Sequence, residues 1–198
     1  QDAGAYVQLS GVLKRVAVKL SKISNDLRLL SSGPRAGLGE INLPPMAPGS
    51  SIMPGKVNPI IPEVVNQVAF EVIGNDLTVT MAAEAGQLEL NAFEPVIAFN
   101  LFRSMDMLGR ACRTLAQRCI QGITANREHC RRMVENSIGL VTALNPLLGY
   151  EKSAEIAKEA LATGRGVTEI ALEKGYLSKE QIEELLRPEN MTRPRYRG

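Results

Sequence analysis

Apolar residues in the first 31 positions recur at Leu9, Val12, Val16, Leu20, Ile23, Leu27 and Leu30, at intervals of 3, 4, 4, 3, 4 and 3. That period predicts one long helix over 5–31 burying a single seam. Lys14, Lys19, Lys22 and Asp26 are free to occupy its other face. Ser31-Ser32-Gly33-Pro34 ends the pattern, because glycine suits a helix C-terminus and proline cannot continue one. A second helix is predicted from Pro62, placed as its first residue, through Val64, Val65, Val68, Val72, Ile73, Leu77 and Met81. It also carries Asn66, Gln67, Asn75, Asp76, Thr78, Thr80, Glu84 and Gln87, so either one face is solvated or it lines a wet interface or site. A third spans roughly 94–121 on Val96, Phe99, Phe102, Met105, Leu108, Cys112, Leu115 and Cys119. With almost no strand signal, the fold class is all-α: long helices of a central bundle, then a small helical C-terminal domain.

The texture changes after Gly122, which divides the chain into 1–122 and 123–198. Short helices are predicted near 127–137, 139–145, 152–163, 167–174 and 179–186. Leu144-Asn145-Pro146 reads as a stop, Gly164 as a C-terminal glycine, and Ser178 with Gln181 as a capping box. The tail from Arg187 is polar and expected to fray.

Between the first two helices, residues 33–62 hold twelve glycines or prolines and show neither the helical nor the strand period. An irregular segment of roughly 30 residues inside a domain is either functional or disordered. Disorder is disfavoured by Leu38, Ile41, Leu43, Met46, Ile52, Met53, Val57, Ile60 and Ile61, which read as anchors for an ordered loop.

Composition narrows the options. Apolar residues make up 44% and charged residues 22%, ordinary for a globular protein, but aromatics are only 4%, so aliphatic side chains must fill the core. A formal net charge of +2 singles out no polyanion, so no nucleic-acid partner is expected. No apolar run approaches the ~20 residues of a membrane span. Cys112, Cys119 and Cys130 cannot all pair, and the first two, seven apart on an apolar stripe, read as buried thiols of a reducing compartment. His129 and Cys130 are too few for a metal site, and none is expected.

Residues 44–63, PPMAPGSSIMPGKVNPIIPE, concentrate the candidate chemistry. Gly49, Gly55 and Lys56 imitate a phosphate loop, but the glycines stand too far apart, Val57 replaces the magnesium-binding hydroxyl, and no strand precedes them. Another anion chemistry fits. Two glycines let successive N–H groups line a concavity, Lys56 adds a full charge, Asn58 a neutral donor, and the following helix N-terminus a partial one. Ser50 or Ser51 among such groups could ionise, because each favours the charged form.

GSSIMPGKVNP at 49–59 resembles the signature loop of the aspartase/fumarase superfamily. The likeness extends through SSGPRAGLGEINLP, PEVVNQVAFEVIGND, MAAEAGQLELNAFEP, GITANREHC and NSIGLVTALNPLLGYEKSAEIAKEAL. Fumarases share GLGE and the signature loop. VVNQVAFEVIGND, TMAAEAGQLELNAFEP and INLP lean toward the branch that removes ammonia from L-aspartate, with fumarate hydratase the alternative.

The resemblance implies a cofactor-free β-elimination giving fumarate. Ser50 is then the general base, Glu63 a catalytic carboxylate that pairs with a histidine outside the loop, and Lys56 and Asn58 ligands of a substrate carboxylate. Ser51 stabilises the charged intermediate, and Gly49, Ile52 and Met53 belong to the same substrate-binding loop, a mobile lid within 44–61. His129 does not match the family histidine. The resemblance also implies a cytoplasmic homotetramer acting on a small dicarboxylate or amino acid, with active sites shared between subunits. The chain begins at Gln1 and matches the C-terminal part of such a lyase, so it reads as a fragment or a processed chain.

Overall fold

A computed structural model describes residues 2–47, 53 and 57–191. The chain divides into two compact units, 1–126 and 127–198.

The first unit is built on three long helices: α1 (Gly4–Leu30), α2 (Ile60–Glu84) and α3 (Glu94–Arg118). Helix α2 is central and packs against both others. Contacts descend along α1 as they rise along α2, from Arg28 beside Glu63 to Ser10 beside Asp76, so the two run antiparallel. Helix α2 begins two residues before the predicted Pro62. A proline in the first turn costs no hydrogen bond, since the N–H groups there have no partner inside the helix.

The buried face of α1 differs from the predicted seam. Ala3, Ser10, Ala17 and Ser24, at every seventh position, are buried, with Leu13, Leu20 and Leu27 packed beside them. Leu9, Val12, Val16 and Ile23 are exposed instead. On α3, the predicted Val96, Phe99, Phe102 and Met105 are likewise exposed, while Ile97, Leu101, Leu108, Ala111 and Leu115 are buried. Phe70, Leu77 and Met81 make a similar outward face on α2. Periodicity identifies apolar stripes but not which of two stripes faces a neighbour within the chain.

Of the polar residues of α2, Gln67, Thr78, Thr80 and Glu84 are exposed and form the solvated face offered as one alternative. Asn66, Asn75 and Asp76 are instead buried inside the three-helix contact. Ser10 donates to Asp76 at 2.8 Å, Lys14 pairs with it at 2.6 Å, and Asn75 donates to Ser104 at 3.1 Å. Cross-helix pairing satisfies groups that would be costly to bury alone. Cys119 is buried as expected, whereas Cys112 is exposed.

Two short strands pair antiparallel, β1 (Ile41–Asn42) with β2 (Thr124–Ala125). Asn126 donates its backbone N–H to the Glu40 carbonyl at 2.9 Å and its side chain to the Gly39 carbonyl at 2.7 Å. These bonds tie 124–126 to the first unit.

The second unit contains α4 (Arg127–Glu135), α5 (Val141–Thr163), α6 (Val167–Glu173), α7 (Lys179–Leu185) and α8 (Pro188–Met191). Leu144, Ile156, Val167, Ile170 and Ile182 form its core. The predicted stop at Pro146 is passed, and the break comes at Gly149, whose φ of 77° interrupts α5. Pro146, sixth in the helix, forfeits one backbone hydrogen bond without ending it, whereas the positive φ of Gly149 cannot be continued as helix. Gly164 ends α5 in the left-handed region, and the Ser178–Gln181 capping box opens α7. Among the described residues, no helix is long and apolar enough to cross a membrane.

Candidate active site

The loop that carries the candidate chemistry leads directly into α2. Glu63 lies in the first turn of α2, where the helix N-terminus favours a carboxylate. Its backbone N–H donates to the Pro59 carbonyl at 3.1 Å, and Ile60 N–H donates to the Asn58 carbonyl at 2.9 Å. Asn58, half-buried, is thereby built onto the helix entry. Met53 is exposed. Gly49, Ser50, Ser51, Ile52 and Lys56 lie outside the described residues, and the mobile lid expected of this loop falls largely on them.

Of the expected loop anchors, Leu43 and Ile61 pack against the cluster of Val65, Ala111, Leu115 and Cys119. Met46, Met53 and Val57 are exposed. Burial in that cluster pushes the Cys119 thiol pKa up, so the thiol stays protonated at neutral pH.

A buried polar group is linked to Glu63 through Arg28. Asn66, one turn further along α2, is 3% exposed. Its amide nitrogen donates to the Ser21 carbonyl at 3.2 Å, the Ser21 hydroxyl at 2.9 Å and the Asn25 side-chain oxygen at 3.1 Å. Its oxygen accepts from Arg28 Nη1 at 3.4 Å, and Arg28 Nη2 lies 3.9 Å from the Glu63 carboxylate. Ser21, Asn25 and Arg28 occupy one face of α1 at helical spacing, a polar stripe that could have flagged them. His129 stands apart from these groups in sequence, on α4 of the second unit.

Residues 1–74 match the family model described as Lyase, and residues 140–193 match that of the fumarase C C-terminus. Aspartate ammonia-lyase of Helicobacter pylori is 69% identical over 194 residues, covering 98% of this chain and 42% of that enzyme. The chain belongs to the aspartase/fumarase superfamily. Among solved structures, the cobalt-bound fumarate lyase/delta crystallin of Brucella melitensis is 63% identical with a TM-score of 0.93, covering 98% of this chain and 42% of that one. The class II fumarase of Schistosoma mansoni is 42% identical with a TM-score of 0.86, covering 96% and 40%. The chain thus spans about two fifths of the length of these relatives, and the all-α architecture is that of the superfamily.

Proposed function

We propose that the protein to which this chain belongs is an aspartate ammonia-lyase, eliminating ammonia from L-aspartate to give fumarate. The observation that carries this reading is the 69% identity to an enzyme of that name across 98% of the chain. Identity to the solved class II fumarase is 42%, which ranks hydration of fumarate second.

In this reading Ser50 removes a proton from the carbon beside one carboxylate, and ammonia departs from the neighbouring carbon. The electron pair left by the C–H bond is held first in that adjacent carboxylate, and it forms the double bond when the C–N bond then breaks. The intervening aci-carboxylate is doubly charged, so donors fixed in advance supply most of the acceleration. Ser51 and the backbone at Gly49 serve there, Lys56 and Asn58 hold a carboxylate, and Ile52 and Met53 cover the substrate as the loop closes. Glu63 orients a histidine from outside the loop. No organic cofactor is required by this chemistry.

The protein acts as a homotetramer in this reading, with subunits sharing each active site. The exposed stripes of α1, α2 and α3 support that, because apolar surface on this scale is normally covered. We place it in the cytoplasm, where three free cysteines are at home.

The test is to follow fumarate absorbance with the full-length protein on L-aspartate and on L-malate. Turnover of aspartate alone is expected, and turnover of malate alone would assign the hydratase. Ser50→Ala should abolish turnover while preserving substrate binding; retained turnover would remove Ser50 from the base position.

A further inference from the structure

We propose that Arg28 of α1 is the positioning residue for the Glu63 carboxylate, an inference that rests on the catalytic role given to Glu63 above. A glutamate in the first turn of a helix has three side-chain torsions, and the Glu63 side chain is half-exposed. Something must fix it if it is to orient a second group. Among the described residues, Arg28 is the cation paired with it, at 3.9 Å.

The fixing is built from buried groups outward. Asn66 is nearly inaccessible, and its amide nitrogen is committed to three acceptors on α1. That commitment settles which end of the amide faces which way, so the oxygen is the end presented to Arg28. The guanidinium then uses one nitrogen on Asn66 and turns the other toward Glu63. A planar fork can serve two acceptors in fixed directions, whereas an ammonium is a point charge that cannot. Glu63 and Asn66, three apart on α2, share a face and meet the same arginine. The geometry therefore links α1 to the start of the catalytic loop's helix through a single side chain. It also leaves Glu63 room to engage a further partner, because the pair is open rather than tightly bidentate.

The experiment is a double-mutant cycle in the full-length enzyme, with fumarate formation as readout. Arg28→Met should lower kcat about tenfold with KM changed less than about twofold, as expected when a catalytic group is misaligned rather than substrate binding lost. Arg28→Lys should recover only part of the loss, and added guanidinium ion should restore turnover to Arg28→Met but not to the parent. In a Glu63→Gln background, Arg28→Met should cost nothing further. Equal losses in both backgrounds, or an unchanged kcat with Glu63→Gln impaired, would overturn the role of Arg28 alone. Full activity of Glu63→Gln would instead remove Glu63 from the mechanism, and this proposal with it. Arg28 is half-exposed, so neither substitution removes core packing.

Discussion

Pro44 lies so close to Gly122 that a Cβ on the glycine would stand 2.5 Å from the proline Cγ. The first residue of the candidate catalytic loop therefore rests on the short turn Ile120–Gly122 that follows α3, at a point where no side chain fits. Gly122→Ala is expected to push Pro44 away and destabilise the first unit by about 1–3 kcal/mol, the usual cost of overpacking. Hydrogen exchange of residues 41–46 should rise along with it. Unchanged exchange there would show that the contact does not hold the loop entry.

Ile97 is 1% exposed and packs with Val79, Ala82 and Leu101. Ile97→Ala should cost about 2–5 kcal/mol through lost transfer energy and the cavity left behind. Urea unfolding followed by helical circular dichroism measures it, and a cost below 1 kcal/mol would mean the site collapses around the gap.

Phe99 and Phe102 project from α3 into solvent in the single chain. If the assembled protein covers that stripe, Phe102→Asp should break the assembly while leaving helical content intact. Light scattering of the full-length protein reports the mass, and an unaltered oligomer would place the interface elsewhere.

Glu155 of α5 accepts from Lys174 at 2.7 Å and from Tyr176 at 3.1 Å, and these bonds hold its carboxyl pKa below the usual glutamate value. The folded state thus binds this proton less readily than the unfolded chain does. The stabilisation is fully present above the ordinary carboxylate range and is lost as pH falls through it toward the depressed folded value. Glu155→Gln should therefore flatten the acid dependence of exchange protection in 152–174. Unchanged acid dependence would mean that the pair, being exposed, contributes nothing measurable.

Cys119 is buried with its thiol pKa pushed up, whereas Cys112 on the same helix face pattern is exposed. Alkylation of the native chain should modify Cys112 well before Cys119, since the thiolate is the reactive form and needs access. Mass spectrometry of timed samples resolves the order, and equal rates would imply frequent opening of the α2–α3 contact.

Helices were legible in the chain wherever period and punctuation agreed. Gly164 and the Ser178–Gln181 box ended and began helices where their chemistry says they should. The burial of α1 was not legible, because Leu9, Val12 and Val16 advertise one face while the smaller Ala3, Ser10, Ala17 and Ser24 occupy the other. Hydrophobicity favours the larger residues, but close helix packing selects the small ones. For the site, residue types in 49–58 suggested an anion-binding loop, and the individual roles came from the resemblance. The bridge from Arg28 to Asn66 was not legible, because the meeting of these two residues, 38 apart in sequence, depends on the antiparallel register of α1 and α2.

That two-sided character of α1 constrains how its gene can change. Inserting or deleting one residue in mid-helix turns everything beyond it by about 100°, a consequence of 3.6 residues per turn. The small-residue seam would rotate off α2 and the outer apolar stripe would lose its own alignment in the same step. Substitutions can be absorbed at either face one at a time, but a change in length fails at both together. Length variation among related chains should accordingly be confined to the ends of α1 and to the connections beyond it.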